Sequence, residues 1–140
     1  MTEADRHKAT LLWLRYATED MAGAEALMGI AKPVPRHACS MAQQAAEKAL
    51  KAALIFAQVP PPRRHDLDAL RDLLPDGWPL KLQLPGLAEL TAHAVEARYP
   101  GDWPAPTRAE ARRALRQARS VLDAVTHDLR THGLSEGGTP

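Results

Sequence analysis

Cysteine is nearly absent from this chain. The single residue, Cys39, excludes an internal disulfide. It falls on an alanine-rich stretch where a buried thiol acts as a small hydrophobe, and no histidine is placed to make it a nucleophile, since His37 two residues away points to another helix face. Long apolar runs are missing too, and Met1–Asp20 reads as neither a signal peptide nor a membrane span. The expected location is therefore cytoplasmic, with no membrane partner. There is no HExxH or comparable ligand spacing and no phosphate-cradling glycine loop, so no metal and no cofactor are expected. No segment alternates with the period of a strand, and internal repeats are absent. Neither sign of charge dominates: 18 basic side chains face 17 acidic ones, and net charge alone points to no nucleic-acid partner.

What remains is helical periodicity in a chain of 140 residues, 45% of them apolar, which is enough for one domain with a real core. Leu11, Leu14, Ala17, Met21, Ala24 and Met28 make one apolar stripe on a helix from about Glu3 to Gly29. Pro33 and Pro35 end it. A second helix, about Arg36 to Gln58, carries Ala38, Ala42, Ala45, Ala49, Ala52 and Phe56 at helical spacing. Alanine is the best helix former and lets neighbours approach closely, so this helix is expected to be central. Its other face reads Gln43, Gln44, Glu47, Lys48 and Lys51, a polar surface with Glu47 and Lys51 spaced for an ion pair.

After the stiff segment from Pro60 to Arg64, Asp66 is placed to cap a short helix near 66–74 with Leu67, Leu70, Leu73 and Leu74 on its apolar side. Pro85, Leu87, Leu90, Ala94 and Ala97 suggest a third main helix to about Arg98. Thr107 and Glu110 form a capping box for the last helix, whose seam is Ala111, Leu115, Ala118, Leu122, Val125 and Leu129. The expected fold is all-α: an up-and-down bundle of four main helices plus the short one. The bundle is expected to span 1–132, with 133–140 a frayed tail.

Charge is distributed unevenly. Residues 35–64 sum to +4 and 65–105 to −4. Such alternation fits pairing with another surface of mixed charge, and fits ordinary surface chemistry as well. On the last helix Arg108, Arg112, Arg116, Arg119 and Arg130 cluster on one side. A guanidinium row suits phosphate or an RNA backbone, although a solvated helix face has the same pattern. His65–Asp66 beside Arg63–Arg64 is the tightest polar cluster. Adjacent residues seldom face each other, so Asp66 reads as a cap rather than as a dyad partner for His65. Trp103, in a proline-rich loop, is either an anchor for a partner or a lid on the bundle.

The run Ala42–Gln43–Gln44–Ala45–Ala46–Glu47–Lys48–Ala49–Leu50–Lys51–Ala52, then Arg64–His65–Asp66–Leu67, then Ala97–Arg98–Tyr99–Pro100 resembles the HEPN domain family over about Lys8 to Leu129. The resemblance implies a bundle of four or five helices, usually a homodimer. Members of this type often pair with a minimal nucleotidyltransferase in two-component systems of toxin–antitoxin type. Other members are metal-independent ribonucleases that use an Arg followed, after four to six residues, by a His. No arginine here has a histidine at that spacing; Arg119 and His127 come nearest, with seven residues between. The resemblance thus implies a nucleotide- or RNA-associated binding subunit, with Gln44, Glu47, Lys48, Lys51, His65, Asp66, Arg98 and Tyr99 lining a shared cleft. The alternative it leaves is a divergent ribonuclease using Arg119, His127 or His65.

Overall fold

A computed structural model describes residues 1–94, 101 and 104–134. Six helices appear among them: α1 Glu3–Met28, α2 Pro35–Phe56, α3 Leu67–Asp72, α4 Leu80–Gln83, α5 Ala88–Thr91 and α6 Arg108–Thr131. The described residues contain no strand. The fold is the expected all-α helical bundle. No helix among the described residues is long and apolar enough to cross a membrane.

Local chemistry sets the long helices. Thr2 opens α1 by accepting from the Asp5 N–H at 3.0 Å, and the Asp5 carboxylate accepts from the Thr2 N–H at 3.3 Å. The same reciprocal box forms between Thr107 and Glu110 at the start of α6. α2 has no side-chain cap, but Pro35 at its first turn spends no N–H there. α2 ends at Phe56, and two residues on Gln58 takes a positive φ of 64° so that the Val59 N–H can reach back to the Leu54 carbonyl at 2.9 Å.

α2 is the central helix. It is buried on several sides by α1, α6 and the short helices, with Ala42, Ala45, Ala46, Ala49, Leu50, Ala52, Ala53 and Leu54 all in the core. Small side chains permit this close three-way packing. Gly23 of α1 completes it, because a Cβ there would collide with the end of the Met41 side chain. α1 runs antiparallel to α2: the Arg6 guanidinium, near the start of α1, donates to the Phe56 carbonyl at the end of α2. α6 runs parallel to α2, since Trp78 packs against both Phe56 and His132 at their C-terminal ends.

The segment expected as a third main helix differs in detail. From Pro85 onward the described residues hold only the four-residue α5, and α4 with an extended Leu84 precedes it. Tertiary bonds explain why residues 84–87 do not join a helix. Arg71 donates to the Leu84 and Pro85 carbonyls, and the Leu87 N–H goes to Asp68 Oδ1 at 2.8 Å. Past α5 the chain tightens into bonds from His93 to Leu90 and from Ala94 to Thr91. The rest of that expected helix, with Arg98, Tyr99 and Trp103, lies outside the described residues.

At the other end, the described chain runs to Leu134. Gly133, at φ 97°, stops α6, and Leu134 returns to the core with its N–H bonded to Leu129. Residues 135–140 lie outside the described residues.

Candidate binding face on the central helix

Gln43, Glu47 and Lys51 recur every four residues and so lie in one row on α2. Glu47 is the hub. Its Oε1 accepts from Gln43 Nε2 at 3.1 Å and lies 2.7 Å from His65 Nδ1, while its Oε2 accepts from Lys51 Nζ at 3.0 Å. Gln43 Nε2 also reaches the His65 carbonyl at 3.4 Å, so the loop carrying His65 is held through both side chain and backbone. Gln43 is fully buried, and its Oε1 has no hydrogen-bond partner among the described residues.

Glu47 was expected on the surface, and that expectation is corrected: it is only 6% exposed. Burial pushes its carboxyl pKa up. Hydrogen bonds from Gln43, His65 and Lys51, with the Lys51 charge, more than offset this and hold it below the ordinary carboxylate value. A buried charge persists here because it is paired and hydrogen-bonded on both oxygens. With Nδ1–H directed at the carboxylate, the neutral imidazole carries its lone pair on Nε2. The His65 side chain is 39% exposed, so the ring bridges the buried network and the surface.

Lysine heads flank the network. Lys51 Nζ lies 5.9 Å from the centre of the Trp13 ring. Lys48 Nζ pairs with Asp20 at 2.6 Å. Gln44 is half-buried on the same side. The face therefore carries two ammonium groups already paired with carboxylates, a part-exposed imidazole and an indole ring beside a fixed carboxylate, a pre-formed hydrogen-bonding surface of balanced charge. Among the described residues no three His, Cys, Asp or Glu side chains converge to hold a metal ion.

The other sequence candidates separate. Asp66 is exposed, and its carboxylate caps α3 through the Ala69 N–H at 3.1 Å. The carboxylate beside the His65 ring is Glu47's. Arg119 is drawn to α1, where it pairs with Glu25, and it lies 4.0 Å from Asp123. His127 is exposed two turns further along α6. Arg98 and Tyr99 lie outside the described residues. Three contributors were missed in the sequence. Gln43 was within reach, being four residues before Glu47 in the same row. Trp13 and Asp20 come from α1, and no local spacing announces them. A concavity of about 720 Å³ lined by Met1, Arg6, Ile55, Gln58 and Val59 sits at the C-terminal end of α2, and none of the network residues lines it.

The model of the HEPN domain family matches residues 10–129, and the chain belongs to that family. Membership supports a nucleotide- or RNA-related function at the level of the family. Among solved structures, the chain is similar to the crystal structure of TT1696 from Thermus thermophilus. The two share 29% identity with a TM-score of 0.70, over 86% of this chain and 98% of that one. No curated protein matches the chain.

Proposed function

We propose that the chain is a non-catalytic, nucleotide- or RNA-associated HEPN subunit that forms a homodimer and docks a minimal nucleotidyltransferase in a two-component system of toxin–antitoxin type. The observation that carries this reading is the Gln43–Glu47–Lys51–His65 network, built on the run that bears the family resemblance. A carboxylate held by His65 and Gln43 on one oxygen and by Lys51 on the other is pre-ordered for recognition, so little ordering entropy remains to be lost on binding. The absence of an Arg with a His four to six residues on favours binding over cleavage. Mixed purification with a minimal nucleotidyltransferase encoded beside this chain tests it: co-elution as a complex supports the reading, and two proteins that never co-elute contradict it.

A metal-independent ribonuclease is the second reading, and one observation favours it. The Glu47–His65 pair fixes a tautomer, as an orienting carboxylate does for a general base. Intact RNA after incubation with the purified chain at several pH values, without metal, removes it.

A further inference from the structure

The outer side of α6 carries a row that the proposed partner face does not use. Arg108, Arg112 and Arg116 follow one another at four-residue steps, about 6 Å apart along the axis, and all three are exposed. The arginines around them are engaged. Arg113 pairs with Glu89 at 2.5 Å, and Arg119 pairs with Glu25. Those two fasten α6 to α5 and α1. Among the described residues no carboxylate pairs with Arg108, Arg112 or Arg116.

The positive potential extends beyond the row. α2 and α6 are parallel, so their N-termini share one end of the bundle with the C-terminus of α1. Lys32 and Arg36 are exposed at that end. No Asp or Glu occurs between Ala26 and Ala46 to offset them. Ile30 and Val34 interrupt this extension with apolar surface, so the continuous part of the patch is the α6 row.

We infer that this row holds single-stranded nucleic acid through its phosphodiester backbone. Guanidinium forks make charge-assisted bonds to phosphate oxygens at each step of the row. A protein interface of ordinary strength would want a large apolar or aromatic anchor at its centre, and α6 exposes none. The same lack of aromatic rings removes base stacking, so binding is tolerant of sequence and steeply dependent on salt. This inference rests on the nucleic-acid side of the proposed function and is independent of the α2 face.

Fluorescence anisotropy with labelled single-stranded RNA and DNA of equal length, titrated across salt, tests it. The wild-type chain is expected to bind both, more weakly as salt rises. The variant Arg108→Gln/Arg112→Gln/Arg116→Gln is expected to lower the slope of log K against log salt by about 2, from three lost phosphate contacts on a single strand. Arg15→Gln, exposed on α1 and paired with Glu19, should leave the slope unchanged. If the triple variant melts early, each single variant should still lower the slope by about 0.7. Wild-type chain that binds no oligonucleotide at low salt, an unchanged slope in the variants, or binding of RNA but not DNA overturns the inference. None of these outcomes alters whether a nucleotidyltransferase co-elutes, so failure here is distinct from failure of the proposed function.

Discussion

His65, in the loop before α3, takes its carboxylate partner from Glu47, eighteen residues earlier on α2, rather than from Asp66 beside it. The neighbouring Asp66 is spent on capping α3. This exchange joins the loop after the proline segment to the central helix and creates the candidate site.

Removing the hub should cost the fold. Glu47→Ala leaves Lys51 without its acceptor and Gln43 with only the longer bond to the His65 carbonyl, in a nearly dry environment. The expected loss is about 3 kcal/mol in urea denaturation, the low end for breaking a buried pair, because Lys51 keeps some solvent contact. Glu47→Gln keeps the shape and should cost less. A loss below about 0.5 kcal/mol for Glu47→Ala would show that the network contributes nothing to stability.

Acid should weaken the protein through the same residue. The Glu47 carboxyl titrates lower in the folded chain than the ordinary value of 4.5. Between the two values the unfolded state binds more protons, so the stabilisation is complete above 4.5 and is lost as pH falls through the folded value. Urea melts over this acid range should show a steeper decline for wild type than for Glu47→Gln. Parallel declines would mean that other carboxylates set the acid limb.

How much of this was legible in the sequence depends on distance along the chain. The bounds of α1, α2 and α6 followed from periodicity and caps, and the Glu47–Lys51 pair followed from its spacing, because all of these are local. The stretch from Leu84 to Leu90 imitates helical spacing, yet Asp68 and Arg71 claim its backbone groups from α3. Glu47 read as surface because a charged residue on a polar face usually is. Its burial depends on His65 arriving from a loop and on Lys51 covering its second oxygen. Trp13 and Asp20 reach the site only through the packing of α1 on α2.

Asp128 is another residue whose role is set from far away. It is fully buried, and its Oδ2 accepts the Leu80 N–H at 2.9 Å, tying α4 to α6. Asp128→Ala should destabilise by about 2 kcal/mol by leaving that N–H buried and unpaired. Thermal melts check this, and a variant as stable as wild type would contradict it.

Gln58 invites a stabilising change. A side chain at φ 64° carries the steric cost of the left-handed region, which glycine avoids. Gln58→Gly should raise stability by about 1 kcal/mol, seen as a higher melting temperature. A lower melting temperature would mean that its side chain makes compensating contacts.

The central claim is that the Glu47–His65 face of α2 receives a nucleotidyltransferase. Its most direct test is a calorimetric titration of that protein into wild-type chain and into Lys48→Glu. Lys48 is half-buried and paired with Asp20 rather than with Glu47; because its reversal sets a carboxylate against Asp20, a thermal melt first checks that the variant is folded. The account predicts binding by wild type and a loss of at least about tenfold in affinity for the variant, or ~1.4 kcal/mol. Equal affinities for the two, or no binding by either, would contradict it.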